Sequence, residues 1–122
     1  MDERTRQAIA RDWLVDITTT GRKSGKQHTV EVLLRQIDGQ LYLSNQPDAK
    51  RDWAANLLVN PEFTYHLKQS VKVALKAKAT PILDEDARRE VYTNVLEREG
   101  RLGQVEARVQ RSNLFKIDLL DT

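Results

Sequence analysis

The sequence predicts an α+β fold in which six mainly antiparallel strands close into a small barrel, with two or three helices packed outside it. Three observations carry this expectation. Short stretches rich in β-branched and aromatic residues alternate apolar and polar side chains along most of the chain. Most connections between these stretches are too short for the crossovers that parallel strands require. After Asp84 the pattern changes to a helical period, with Ala87, Val91 and Val95 at i, i+4 and i+8.

Taken in order, Asp2 to Asp12 is polar apart from Ala8 and Ile9 and forms a short helix or a frayed end. Trp13 to Thr20 reads as a strand from its Trp, Val, Ile and Thr content. In Gln27 to Gln36, Val30, Val32 and Leu34 share one face, opposite Thr29, Glu31, Leu33 and Arg35, as in a half-buried strand. Asp38-Gly39 is a hairpin signal, and Leu41 to Leu43 returns from it and ends at Ser44-Asn45. Asp48 is placed to cap a helix from Ala49 to Leu58, with Trp53, Leu57 and Asn60 near one face. Asn60-Pro61 stops that helix, because proline disfavours helical backbone at the residue before it.

Phe63 to Leu67 is the next strand, followed by a Gln69-Ser70 turn and a strand from Val71 to Thr80. The latter sets Val71, Val73, Leu75, Ala77 and Ala79 against Lys72, Lys76 and Lys78, so the lysines form a solvated outer face. The strongest helix runs from Asp84 to Glu99, Gly100 and Gly103 loosen the segment after it, and Asn113 to Leu119 is the last strand. No repeat or internal boundary interrupts this order. The expectation is one domain over residues 1–122, with 1–12 as an N-terminal helix or arm.

Composition narrows the function classes. With 39% hydrophobic and 31% charged residues the chain is an ordinary globular one, and no apolar run approaches the roughly 20 residues of a membrane span. Met1-Asp2-Glu3-Arg4 is charged, and the chain has no cysteine; disulfides, thiolate metal sites and a cysteine nucleophile are excluded, and a cytoplasmic location is expected. The formal net charge of +2 is too balanced to imply nucleic acid, and the lysine face of residues 72–78 has no aromatic interleaved for stacking. His28 and His66 sit in no ligand spacing, so no metal site is expected.

Residues 18–26, Thr-Thr-Thr-Gly-Arg-Lys-Ser-Gly-Lys, concentrate the functional signal. A strand ending in a glycine-bracketed basic turn can aim Arg22, Lys23, Lys26 and free backbone N–H groups at one point, which suits a phosphate or a carboxylate-rich ligand. A solvated hairpin turn is the plain alternative. A nucleotide P-loop is excluded: only Arg22, Lys23 and Ser24 separate Gly21 from Gly25, and Gln27 occupies the position that needs a magnesium-binding hydroxyl.

This stretch, together with Trp53-Ala-Ala-Asn-Leu-Leu-Val-Asn-Pro61, resembles the deazaflavin-dependent nitroreductase family, and the order of elements agrees from Leu14 to Leu119. The resemblance implies a split β-barrel related to those of flavin reductases and pyridoxamine-phosphate oxidases. It implies an 8-hydroxy-5-deazaflavin coenzyme (F-420) carrying a phosphate and an oligoglutamate tail, with FMN as the alternative. It also implies hydride transfer to a quinone, nitroaromatic or enone. On this resemblance Arg22, Lys23, Ser24, Gly25 and Lys26 meet the phosphate and tail carboxylates, with His28 beside them. Ser44 and Asn45 border the ring system, and Trp53 and Asn56 lie on the helix next to the coenzyme. Trp53 is equally a core anchor.

The chain departs from the family pattern at His28, where arginine is common, and at Ser44-Asn45-Gln46-Pro47, where a Ser-Lys-Gly-Gly-like turn is common. Proline cannot donate a backbone hydrogen bond there. These departures keep a second reading open, a non-catalytic barrel for a flavin, haem or lipid-like ligand. No side chain stands out as a catalytic acid; Tyr42, Tyr65 and Tyr92 qualify by chemistry alone. A homodimer is compatible with the resemblance.

Overall fold

A computed structural model describes residues 1–48 and 52–120. Its strands are β1 (Leu14–Thr20), β2 (Gln27–Ile37), β3 (Gln40–Ser44), β4 (Glu62–Leu67), β5 (Val73–Pro81) and β6 (Leu114–Leu119). They close into a barrel in the order β1-β2-β3-β6-β5-β4, every neighbour antiparallel. Closure removes the unpaired edges that an open sheet would expose. Four helices flank it: α1 (Glu3–Arg11), α2 (Asp52–Val59), α3 (Glu85–Arg98) and α4 (Val105–Arg111). Among the described residues no helix is long and apolar enough to cross a membrane.

The period-2 pattern decides what fills the barrel. Val15 and Ile17, Leu41 and Leu43, Phe63, Tyr65 and Leu67, Leu75, Ala77 and Ala79, and Phe115 and Ile117 all point inward and are buried. Trp53, Ala54 and Leu57 of α2 join this core from one end. A second cluster, Tyr92, Leu96, Val109 and Leu114, seats α3 and α4 on the outside of β3 and β6. The hairpin joining β2 to β3 is the two-residue turn Asp38-Gly39, with φ of 49° and 84°, the left-handed backbone that this dipeptide tolerates. The lysines of β5 face solvent.

Four sequence expectations need correction or completion. The N-terminal segment is a helix, because Asp2 caps it by accepting from the Thr5 N–H at 2.8 Å while Thr5 and Ala8 are buried. The β5 strand starts at Val73, not Val71, and runs on to Pro81. The turn before it is drawn toward α1 and β1: the Ser70 N–H donates to Asp12 at 2.8 Å, and the Gln69 side chain accepts from Trp13 and Leu14.

The loosened segment after Gly100 holds α4, a fourth helix where two or three were expected. It is stabilised from outside: Arg88 of α3 donates to the Val109 carbonyl at 3.0 Å, an acceptor that a helix C-terminus leaves unpaired, and to the Arg108 carbonyl at 3.2 Å, which also accepts the Ser112 N–H at 3.1 Å. Asp48, expected as the α2 cap, has φ of 60° and pairs with Arg111 at 3.2 Å. The expected start of α2 at Ala49–Arg51 lies outside the described residues.

Candidate functional site

The basic turn between β1 and β2 is built by its own atoms. The Gly21 N–H donates to the Lys26 carbonyl at 2.7 Å, and the Gly25 N–H to the Gly21 carbonyl at 3.0 Å. Ser24 Oγ accepts from the Lys26 N–H at 3.2 Å. Gly25 sits at φ 72°, which glycine adopts without steric cost. Gly21 is needed for space: a Cβ there would lie 2.9 Å from Ser24 Oγ, 3.1 Å from the Lys26 carbonyl and 3.3 Å from His28 Nε2.

The second sequence block reaches this turn through α2. Asn56 is 2% exposed; its Oδ1 accepts both the Arg22 N–H at 3.1 Å and Arg22 Nη1 at 3.0 Å. Its Nδ2 donates to Thr19 Oγ1 at 3.3 Å. Asn60 Nδ2 donates to the Thr20 carbonyl at 3.3 Å. The two motifs are thereby one structural unit: α2 holds the root of the basic turn, and Arg22 is oriented by Asn56 and by Asp52, 3.6 Å away. Among the described residues Lys23 and Lys26 make no ion pair and stay available to a ligand.

The geometry brings these residues around a cavity of about 350 Å³ that Arg22, Lys23, Ser24, His28, Trp53 and Asn56 line. A second cavity of about 430 Å³, lined among others by Ser44, Asn45, Gln46 and Arg108, shares Val30, Asp52 and Trp53 with the first. The two form one groove across the barrel, with Trp53 at their junction. Trp53 is a core anchor, 7% exposed with its ring 6.2 Å from Phe115, and it also walls both cavities. Gly25 and Lys26 belong to the turn but line neither cavity. Ser24 is partly committed to the turn, where its oxygen is already an acceptor.

Sequence reading missed the far wall of the groove. Arg108 is 1% exposed, and its acceptors are all neutral: the Asn45 carbonyl at 3.3 Å, Gln46 Oε1 at 3.2 Å and Gln104 Oε1 at 3.5 Å. Burial holds its pKa below the usual arginine value. The signal was present: Val105, Arg108, Val109 and Ser112 recur at helical spacing, an arginine in an apolar stripe. Ser44 Oγ pairs with Tyr92 Oη at 2.8 Å, and burial raises that phenol although the Ser44 bond opposes the shift. Tyr42 is raised by burial, then by Glu90 and Asp38. Tyr65 is raised by its burial in the barrel, then by Asp12, and its Oη has no hydrogen-bond partner among the described residues. Tyr65 is a core residue and lines no part of the groove.

No family model and no curated protein matches the chain. Solved structures do. The chain is similar to the conserved hypothetical protein Rv2991 from Mycobacterium tuberculosis, with a TM-score of 0.75 and 20% identity over 98% of this chain and 81% of that one. It is similar to the haem storage protein HutZ from Vibrio cholerae, at a TM-score of 0.74 and 16% identity, covering 99% and 91%. It also matches an FAD-binding protein from Mesorhizobium loti at a TM-score of 0.63 and 14% identity, covering 96% and 86%. At these identities the likeness is one of fold: the six-stranded barrel of this chain is the split β-barrel that these proteins share.

Proposed function

We propose that this protein is an oxidoreductase that binds a deazaflavin coenzyme in the groove and directs hydride transfer to a quinone, nitroaromatic or enone. The observation that carries the reading is the convergence of two separate sequence blocks, Thr18–Lys26 and Trp53–Pro61, on the walls of a single cavity. The donor set fits the coenzyme. Lys23 and the oriented Arg22 suit a phosphate, Lys26 lies beside them in the same turn, and the groove continues past Trp53 with room for a ring system at Ser44–Gln46. The split barrel supports a flavin-type ligand in general, and one solved structure of this fold is an FAD-binding protein.

The coenzyme when bound supplies the hydride chemistry; the chain supplies binding, orientation and shielding from water. Lys23 and Arg22 fix the anionic end, Asn56 fixes Arg22, and Trp53 presents a large apolar wall at the middle of the groove. Behind the half-buried Ser44 at the far end, the buried Tyr92 hydroxyl pairs with Ser44 Oγ and stays neutral at ordinary pH.

Replacing Arg22 and Lys23 together by alanine should weaken coenzyme binding by about 3 to 6 kcal/mol if both meet anions, since a hydrogen bond to a charged group is worth about 1.5–3 kcal/mol. An unchanged dissociation constant would remove the anion-site assignment. The second reading, a binding barrel without turnover, is favoured by the Ser44–Pro47 turn and by the likeness to a haem storage protein. It predicts saturable binding with no reductase activity, so turnover with any member of a quinone panel excludes it.

A further inference from the structure

We propose that the far end of the groove, at Arg108, is a second anion site, and that the small molecule meeting the coenzyme there carries a carboxylate or another compact anionic group. This deepens the reductase reading by naming its substrate class.

The argument starts from charge. A guanidinium stays ionised in proteins, and taking it out of water costs several kcal/mol unless a carboxylate and good hydrogen bonds offset the loss. Arg108 is 1% exposed, yet no ion pair reaches it among the described residues. Its neighbour Arg35 lines the same cavity but has Glu99 at 3.0 Å to balance it. Among the described residues Arg108 has three neutral acceptors, at 3.2 to 3.5 Å, and its Nε has none. Arg88 fixes it there by binding the carbonyls of Arg108 and Val109, so the side chain cannot leave by a shift of α4 without breaking that clamp.

Placement gives the site its use. Arg108 walls the 430 Å³ cavity beside Ser44 and Gln46, and it also borders a void of about 10 Å³ reaching in toward Tyr92 and Leu114. An anionic oxygen entering from the groove would meet a cation already desolvated, where charge-assisted bonds are strongest. The basic turn and Arg108 then line adjoining cavities that share Val30, Asp52 and Trp53, with Asp52 paired to Arg22 on the side of the turn.

The test compares 4-nitrobenzoate with its neutral isostere 4-nitrobenzamide, titrated calorimetrically into the full chain without coenzyme. Wild type should bind the acid at least about tenfold more tightly, the preference that one charge-assisted contact provides. Arg108→Met should bind the two alike, and Arg108→Lys should keep part of the preference. In parallel, 4-nitrobenzoate should raise the melting temperature of wild type and leave that of Arg108→Met unchanged. An acid preference that is absent in wild type, or that persists in Arg108→Met, overturns the proposal. Should Arg108→Met fail to fold, a preference in Arg108→Gln as large as in Arg108→Lys overturns it equally. Coenzyme binding is titrated separately: its loss would sink the reductase reading while the acid preference stands or falls alone.

Discussion

Asn56→Ala tests whether the helix and the basic turn form one unit. The substitution deletes an amide that is 2% exposed and makes three hydrogen bonds. The bond from the Arg22 N–H and the longer one to Thr19 Oγ1 are each worth about 1 kcal/mol. The bond from Arg22 Nη1 is charge-assisted, but the Arg22 side chain is 32% exposed, so solvent screening reduces it to about 1 kcal/mol as well. The sum is about 3 kcal/mol of lost stability, equivalent to roughly 10 °C in melting temperature for a chain this size. Urea unfolding followed by tryptophan fluorescence reads it directly, since Trp53 lies one turn before Asn56. Binding at the turn should fall too, because Arg22 loses its orientation. A loss below about 1 kcal/mol would refute the reasoning, since it would mean that water replaces Asn56 at no cost.

Three other outcomes are expected. Gly21→Ala should cost about 1–3 kcal/mol by overpacking against the Lys26 carbonyl and Ser24 Oγ, and adding Ser24→Ala should recover part of it in the same unfolding assay; no recovery would locate the strain elsewhere. Tyr65→Phe removes a buried hydroxyl that has no partner among the described residues, so thermal melts should show unchanged or higher stability, by up to about 1 kcal/mol; a clear loss would reveal a hydrogen bond that the geometry does not contain. Arg89 holds the Glu85 and Glu106 carboxyls below their ordinary range by hydrogen bonding, clamping α3 to α4. Their folded-state pKa is depressed, so this contribution is present above the ordinary glutamate value and lost as pH falls through the lower folded value. Arg89→Ala should therefore lose less melting temperature than wild type on going from about pH 6 to about pH 3.5; equal losses would show that the clamp contributes nothing.

The barrel was legible because its strands carry strict alternation, and a period-2 pattern with one buried face fixes register as well as element. The Asp38-Gly39 hairpin was legible for the same local reason. Helix α4 was not, because it is seven residues long, follows two glycines and turns an arginine inward. Its stability comes from Arg88 on another helix, a tertiary contact that no local window contains. The start of β5 was misplaced because Ser70 and Gln69 bond to the N-terminal segment, a choice made between residues more than 50 positions apart.

At the groove, the basic turn and the Trp53 and Asn56 helix stood out as motifs. What the motifs could not show is that Asn56 acts through Arg22, that Ser24 spends its oxygen on the turn, and that Lys26 lies off the cavity wall. The Ser44–Pro47 turn read as a departure from a family pattern. In the structure its carbonyl and amide groups receive Arg108, so the sequence change and the inward arginine belong to one local arrangement.

The central claim is that the groove takes a deazaflavin. Its most direct measurement is a fluorescence titration of the purified protein with the oxidised deazaflavin and, in parallel, with FMN, repeated on Arg22→Ala/Lys23→Ala. The account predicts saturable binding of the deazaflavin, tighter than FMN and lost in the double variant. Tighter binding of FMN, or binding of neither by the wild-type protein, would contradict it.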